Sequence, residues 1–125
     1  MILDTNSLSA IAEAEPHAVA AFSQAQSIAI PVIVLGEYLF GIAQSNRRLE
    51  YEKWVRHVLR TFLVLTIGAE TAVKYADVRL ELKRSGTPIP SNDMWIAALC
   101  RQHALALLSR DRHFDSVRGL RRVGW

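Results

Sequence analysis

Four acidic residues of the chain lie at the start, at the end or within apolar, structure-forming segments: Asp4, Glu37, Asp93 and Asp111. A carboxylate in such a setting is costly unless a proton, a cation or hydrogen bonds compensate its charge. Four carboxylates brought to one point would raise one another's pKa and would need a bound cation. Because all the donors are oxygens, Mg²⁺ or Mn²⁺ would fit better than Zn²⁺. These residue types indicate a metal site, provided that the fold brings them together.

Each carboxylate also has an ordinary explanation when it is considered alone. Asp4 can cap a helix, and Glu37 can pair with an arginine or reach solvent at a helix edge. Asp93 can favour the positive end of its helix, and Asp111 can be a turn residue. These explanations account poorly for four carboxylates at convergent positions, so their positions in the fold decide between structure and function.

The elements that must position these residues alternate between strands and helices. Short apolar segments predict strands at Ile2-Leu3, Ser27–Ile30, Phe62–Ile67, Ala104–Leu108 and Leu120–Val123. One helix is expected directly after the first strand, and further helical patterns follow at about residues 17–26, 32–44, 46–60, 70–84 and 93–103. We expect Asn6 or Ser7 to cap the first helix, and Ser91 or Asn92 to cap the last. This alternation predicts an α/β fold, a three-layer α/β/α domain with a central, mostly parallel sheet.

In such a sheet, sites form beyond the carboxyl ends of the strands, near a switch in strand order. Asp4 and Asp111 follow predicted strands, and Asp93 begins a helix that leads back into the sheet. Glu37 lies about one turn into another helix. The geometry therefore permits all four carboxylates to converge at one edge of the sheet.

Length and composition are those of one globular domain, which we expect to span residues 1–125. Half of the residues are apolar and 22% are charged. The longest apolar runs are well short of the ~20 residues that cross a bilayer. Asp4 interrupts the apolar start and no basic residue precedes it, so we expect no signal peptide. The single cysteine, Cys100, excludes an internal disulfide and cysteine-ligated zinc, and favours a cytoplasmic location without membrane contact.

The basic residues are distributed unevenly along the chain. The net charge is +3, yet residues 1–45 contain no Lys or Arg, and residues 46–125 carry all 15 basic residues. Basic sequence beside an acidic site suggests a polyanionic substrate that is steered toward a bound cation. A solvated surface that happens to be rich in arginine is the ordinary alternative.

Four short motifs follow one another along the chain: Ile2-Leu3-Asp4-Thr5-Asn6, Pro31 followed by Glu37, Asn92-Asp93-Met94-Trp95-Ile96-Ala97-Ala98, and Leu107-Leu108-Ser109-Arg110-Asp111-Arg112-His113-Phe114-Asp115. In order and spacing, they resemble those of the PIN-domain nucleases and, within that family, of the small VapC-type toxin ribonucleases of type II toxin–antitoxin pairs. The resemblance covers essentially the whole chain without insertion. Each motif is weak alone, but four in register are fairly specific.

The resemblance implies a metal-dependent endoribonuclease with Asp4, Glu37, Asp93 and Asp111 as its catalytic quartet. Asp4, Asp93 and Asp111 would bind Mg²⁺ or Mn²⁺ directly. Glu37 would bind through water or help to activate the nucleophile, and Asp115 matches a further acidic position. One or two metal ions would bind the scissile phosphate and activate a water molecule. That water would cleave the phosphodiester and leave a 5′-phosphate.

The resemblance also implies partners. These are an RNA substrate, a second copy of the chain in a homodimer, and a cognate VapB-type antitoxin whose C-terminal segment enters the active-site groove. The helix at residues 46–60, together with the helix that carries Glu37, is a candidate surface for the antitoxin. Such a pair of helices is equally often ordinary cover of the core. Five arginines near the last motif are candidates to hold the RNA backbone: Arg110, Arg112, Arg118, Arg121 and Arg122.

Smaller polar residues and one histidine complete the predicted site. Thr5, Asn6 and Ser109 are expected to orient carboxylates or water, and His113 is expected at the surface. Two other functions remain open, namely a PIN nuclease of RNA processing outside toxin–antitoxin systems and a non-catalytic RNA- or protein-binding module. An acidic quartet argues against the binding module, because concentrated negative charge repels RNA.

Overall fold

The computed structural model describes all 125 residues and has a five-stranded parallel sheet at its centre. The strands are short. Four of them lie entirely within segments that were predicted to be strands, and the second extends one residue, Pro31, beyond its predicted segment. In chain order they are β1 (Ile2–Leu3), β2 (Ala29–Pro31), β3 (Leu63–Leu65), β4 (Leu107–Leu108) and β5 (Arg122–Val123). In the sheet they are ordered β3-β2-β1-β4-β5, and every neighbouring pair is parallel.

Six α-helices connect the first four strands. They are α1 (Thr5–Ala12), α2 (Pro16–Ser23), α3 (Val32–Ala43), α4 (Arg48–Thr61), α5 (Ala69–Ser85) and α6 (Ser91–His103). A short 3₁₀ turn, Arg112–Ser116, lies between β4 and β5. None of the helices combines the length and apolar character needed to cross a membrane.

The strand order places the helices in two layers. From β1 the chain steps outward to β2 and then β3, with α1 to α4 in the connections, and α5 and α6 lead back to β4 on the other side of β1. Because such crossovers are right-handed, the outward and returning connections cover opposite faces of the sheet. The predicted three-layer α/β/α fold is therefore confirmed, and the strand order switches between β1 and β4.

The centre of the sheet is fully buried although its strands are only two residues long. Ile2 lies opposite Leu107, and Leu3 lies opposite Leu108. All four side chains are at most 1% exposed, as expected for parallel strands covered on both faces. The next residues in this register are Asp4 and Ser109, so the pairing of two buried dipeptides places two polar groups side by side at the carboxyl edge.

Helix α5 ends where the sequence predicts. Gly86 follows it with φ +69°, the left-handed conformation that glycine adopts without steric cost. The start of α6 differs from the prediction that Ser91 or Asn92 caps it. The cap position is Pro90 and no side chain caps the helix, because Ser91 is already the first helical residue and the Asn92 side chain is used elsewhere.

Candidate active site

The carboxyl ends of β1 and β4 form the floor of the candidate site. Asp4 follows β1 immediately, and Asp111 follows β4 after a two-residue connection that begins with Ser109. This is the point at which the strand order switches, where open α/β sheets form their binding sites.

Asp4 uses its two carboxylate oxygens differently. It is the cap residue of α1, and its Oδ1 accepts a hydrogen bond from the Ser7 amide at 2.8 Å. Its Oδ2 is buried and has no hydrogen-bond partner. The prediction that Asn6 or Ser7 caps this helix is wrong, because Ser7 is instead the donor to the capping carboxylate. One oxygen of Asp4 is thus explained by structure and the other is not.

The surroundings of Asp4 disfavour its charge. The residue is 3% exposed, and this burial raises the pKa of its carboxyl group, with a further rise from the negative charge of Asp111. The Ser109 hydroxyl and the backbone N–H and hydroxyl of Ser7 lower the pKa in part. The Ser109 hydroxyl lies beside the carboxylate, but its geometry does not complete a hydrogen bond to Oδ2. The charge of Asp4 is therefore not fully compensated, and Oδ2 is the oxygen without a partner.

Asp93 lies in the first turn of α6, and the pKa of its carboxyl group is raised like that of Asp4. Burial raises the pKa of its carboxyl group, and the charges of Asp111 and Asp4 raise it further. His113 opposes these effects, since its Nε2 lies 2.8 Å from Asp93 Oδ2. The N–H does not point at the oxygen well enough to form a good hydrogen bond, so the contact is an ion pair when His113 is protonated. The expected surface position of His113 is wrong: the side chain is half-buried against Asp93.

Glu37, on α3, is held by two side chains from other helices. Its Oε2 accepts a hydrogen bond from the Thr5 hydroxyl of α1, and its Oε1 accepts one from the Asn92 side-chain amide of α6. Sequence reasoning anticipated an orienting role for Thr5 but assigned Asn92 to helix capping. The signal that it missed was the position of Asn92 directly before Asp93. Through Glu37, the two helix layers are joined above the edge of the sheet.

Asp111 is oriented by its neighbours in the fold. Its Oδ2 accepts a hydrogen bond from the Asn6 side-chain amide at 3.1 Å. Its own backbone N–H donates to the Ser109 hydroxyl at 3.0 Å. The same serine therefore lies beside Asp4 and fixes the backbone of Asp111, which links the two carboxylates that follow β1 and β4.

Asp115 is paired with an arginine. Both of its oxygens accept hydrogen bonds from Arg122, at 2.8 and 3.0 Å, and this pairing lowers the pKa of its carboxyl group. Arg122 also donates to the Ser109 carbonyl oxygen at 3.0 Å. In this arrangement Asp115 anchors the turn that follows Asp111.

The candidate site is strongly negative and poorly neutralised. No Lys or Arg nitrogen lies within 4.0 Å of the carboxylate oxygens of Asp4, Glu37, Asp93 or Asp111, and their one ionisable partner is His113. No three His, Cys, Asp or Glu side chains stand in a geometry that would hold a metal ion by themselves. The fold thus brings Asp4, Asp93 and Asp111 close enough to repel one another, with Glu37 clamped beside Thr5 and Asn92.

The sequence is similar to those of one known protein family. The sequence model of the PIN domain matches residues 1–120. The chain belongs to the PIN-domain family. A VapC ribonuclease from Sinorhizobium fredii is 31% identical to this PIN domain over 130 residues, which cover 96% of the chain and 93% of that relative. Ribonuclease VapC2 from Haemophilus influenzae is 29% identical over 127 residues, with 99% and 96% covered.

Solved structures agree with this assignment. The PIN domain described here superimposes on a chain of the DNA-bound VapBC structure from Salmonella typhimurium with a TM-score of 0.87, 26% identity, and 99% and 96% of the two chains covered. The family predicted from the sequence, a PIN domain of the VapC type, is confirmed.

Proposed function

We propose that this VapC-type PIN domain is a toxin endoribonuclease that hydrolyses RNA phosphodiester bonds with Mg²⁺ or Mn²⁺. The observation that carries the proposal is the buried, unpartnered Oδ2 of Asp4 beside the charges of Asp93 and Asp111. The two VapC relatives named above are ribonucleases. We also propose that residues 1–125 act as one domain in the cytoplasm, as a homodimer.

The donor set fits a small, hard cation. Asp4, Asp93 and Asp111 offer only oxygen, which selects Mg²⁺ or Mn²⁺ over metals that prefer nitrogen or sulfur. Mg²⁺ usually binds through one or two carboxylates and keeps several waters, so three converging side chains are not required. A cation here would offset the charge that burial and mutual repulsion disfavour, and Oδ2 of Asp4 is its first proposed ligand.

The chain's own residues would prepare the reaction in distinct ways. A bound divalent cation would lower the pKa of an attacking water and neutralise charge on the phosphate. Asp4, Asp93 and Asp111 would hold the cation, directly or through its waters. Glu37, fixed by Thr5 and Asn92, would bind through water or orient the attacking water.

A non-catalytic binding module is the weaker alternative. Such a module has no use for buried carboxylates whose charge is uncompensated, because they cost stability and repel RNA. A PIN nuclease outside toxin–antitoxin systems would use the same site. Such a nuclease differs from a toxin only in its partners, so the presence or absence of an antitoxin gene beside this one distinguishes the two.

The catalytic proposal is tested by RNA cleavage with Mg²⁺ and with a chelator. We expect cleavage only with the divalent cation, and a loss of at least about 100-fold in Asp93→Asn, since a metal ligand supplies several kcal/mol of transition-state stabilisation. Asp115→Asn should lose much less activity than Asp93→Asn, because Arg122 occupies both Asp115 oxygens. Asp77→Asn on α5, exposed and without an ion pair, is the matched control. Equal cleavage by wild type and Asp93→Asn, or none under any divalent cation, would refute the proposal.

The antitoxin is proposed to bind across α3 and α4. Two large apolar side chains on these helices are exposed, Phe40 by 72% and Leu49 by 81%, and exposed aromatic residues are typical anchors of protein interfaces. We expect Phe40→Ala to weaken binding of the small protein encoded beside this chain's gene by about 30-fold or more, equivalent to about 2 kcal/mol. Titration calorimetry would measure it, with Val73→Ala on α5, also exposed, as control. Equal affinities of wild type and Phe40→Ala would place the antitoxin elsewhere.

A further inference from the structure

A second concave site lies between α5, α6 and the loop that joins them. It is a cavity of about 490 Å³, within the size range of small-ligand sites. One wall carries positive charge and the other is largely apolar. Its lining residues are Arg79, Lys83, Pro88, Ile89, Ser91 and Met94.

The positive charge of this cavity is not neutralised by acidic side chains. Arg79 and Lys83 are four residues apart on α5, so they project from the same face of the helix. Neither forms an ion pair with a carboxylate. The nearby Glu81 is engaged by Arg101 at 2.9 Å. The two cations therefore remain available to an anion from solvent.

Arg79 is also held in place. Its guanidinium donates a hydrogen bond to the Tyr75 hydroxyl at 2.7 Å and lies 5.9 Å from the centre of that ring. The Tyr75 ring stacks in turn on Trp95 of α6, with centroids 3.9 Å apart. A positioned guanidinium binds a phosphate at lower entropic cost than a freely moving one.

The cavity and the candidate active site share the first turn of α6. Ser91 lines the cavity, Asn92 binds Glu37 and Asp93 is in the carboxylate group. Consecutive residues of a helix rise by about 1.5 Å and turn by about 100°, so Ser91 and Asp93 lie on different sides of the same helix end. An extended polyanion that crosses the start of α6 can therefore contact the carboxylates on one side and Arg79 and Lys83 on the other.

We propose that this cavity binds a nucleotide of the RNA substrate next to the phosphodiester that is cleaved. Arg79 and Lys83 bind its phosphate, and Pro88, Ile89 and Met94 provide an apolar surface for its base or sugar. The proposal rests on the proposed ribonuclease function and adds a substrate-binding subsite to it. Single-stranded RNA suits such a site, because its phosphates and its unpaired bases are both accessible.

Arg122, one of the arginines near β5, is less suited to this role than its sequence position indicates. Its guanidinium donates hydrogen bonds to both carboxylate oxygens of Asp115 and to the Ser109 carbonyl oxygen. This predicted RNA-binding residue already has a negatively charged partner within the fold, whereas Arg79 and Lys83 have none.

The test measures RNA binding without cleavage. Fluorescence anisotropy of a short labelled single-stranded RNA is recorded with Asp4→Asn protein, alone and combined with Arg79→Gln or Lys83→Gln. Each substitution is expected to weaken binding about 5- to 10-fold and to reduce the slope of log K against log salt by about 0.7, the value for one lost phosphate contact on a single strand. Arg84→Gln, next to Lys83 but lining a different cavity, is the matched control.

A set of RNAs with one neutral methylphosphonate linkage each identifies the phosphate that is bound. One position should weaken binding to the parent protein and have little further effect once Arg79 and Lys83 are replaced, as a double-mutant cycle requires. Equal losses in Arg84→Gln, or no linkage coupled to Arg79 and Lys83, would overturn the subsite. Unchanged RNA affinity with weaker antitoxin binding would assign the cavity to an acidic peptide instead. Because binding is measured without catalysis, a failure of the cleavage assay is a separate result.

Discussion

Asp4→Asn is expected to cleave RNA at least about 100-fold more slowly than wild type. At neutral pH, with a chelator present, it is nevertheless expected to be more stable than wild type. The asparagine Oδ1 still accepts the Ser7 amide, because Asn and Asp are equally good helix caps. Its amide nitrogen would replace the unpartnered Oδ2 and would be a donor beside the Ser109 hydroxyl and the charge of Asp111. The substitution therefore removes an uncompensated charge and keeps the local structure.

The stability difference between the two proteins should depend on pH in a defined direction. Burial raises the pKa of Asp4 in the folded state above its ordinary value of 3.8. Below pH 3.8 the carboxyl group is protonated in both the folded and the unfolded state, so it does not reduce the free energy of unfolding. As the pH rises toward the folded-state pKa, the unfolded chain ionises more easily, so wild type loses stability that Asp4→Asn retains. The gap in Tm should be absent near pH 3 and should widen as the pH rises toward neutral.

Divalent cations should reverse the order of stability. A ligand that binds only the folded state stabilises it by about 2.7 kcal/mol at 100 times its Kd, and Asp4→Asn should lack most of this gain. Differential scanning fluorimetry with Mg²⁺ and with chelator at several pH values measures both effects. Asp77→Asn should follow wild type throughout. A chelated Asp4→Asn protein that melts below wild type at pH 7 would contradict the assignment of Asp4 as an uncompensated charge.

Phe114→Ala is expected to reduce the free energy of unfolding by about 3–5 kcal/mol, the usual cost of deleting a buried phenyl group. Phe114 is 0% exposed and packs in the core from within the 3₁₀ turn. Its backbone N–H donates to the Asp111 carbonyl oxygen at 3.3 Å. Asp111 and Asp115 flank this anchor, so the loss should also displace Asp111 and reduce cleavage. Folded domains are stable by only about 5–15 kcal/mol, which makes the effect large.

Urea denaturation followed by circular dichroism measures this cost. Phe40→Ala is a matched control, because Phe40 is 72% exposed and exposed substitutions change stability by about 0.5 kcal/mol or less. Phe114→Leu should cost less than Phe114→Ala and retain more activity, since it leaves a smaller cavity. If Phe114→Ala unfolds at the same urea concentration as Phe40→Ala, the ring does not anchor the turn.

The alternation of short apolar segments with amphipathic ones was enough to predict the three-layer fold. The central strands are buried on both faces, so Ile2-Leu3 and Leu107-Leu108 are recognisable as apolar pairs followed by polar residues. The placement of Asp4 and Asp111 at one edge follows from that pattern, because the carboxyl ends of parallel strands meet there.

The hydrogen bonds within the site could be predicted only in part. Thr5 and Asn6 orient carboxylates as expected, those of Glu37 and Asp111, but the partners of Asn92 and His113 were not predicted. Asn92 is a good candidate for a helix cap by residue type, yet its amide binds a glutamate 55 positions away. The residues around His113 in the sequence are typical of an exposed turn, yet its side chain contacts Asp93 across the fold. Both errors have one physical cause. Local propensity describes a residue's own segment, whereas these partners come from elements that only the tertiary structure brings near.

The pairing of β1 with β4 at the centre of the sheet determines when the site can form during synthesis of the chain. β1 can pair with β2 soon after synthesis begins, but its other neighbour, β4, begins at residue 107. Contacts this distant in sequence form late, because a long loop must be closed first. A partly synthesised chain therefore contains Asp4 without Ser109 or Asp111 beside it. With the proposed site, we expect cleavage activity to begin only when nearly the whole chain has been translated.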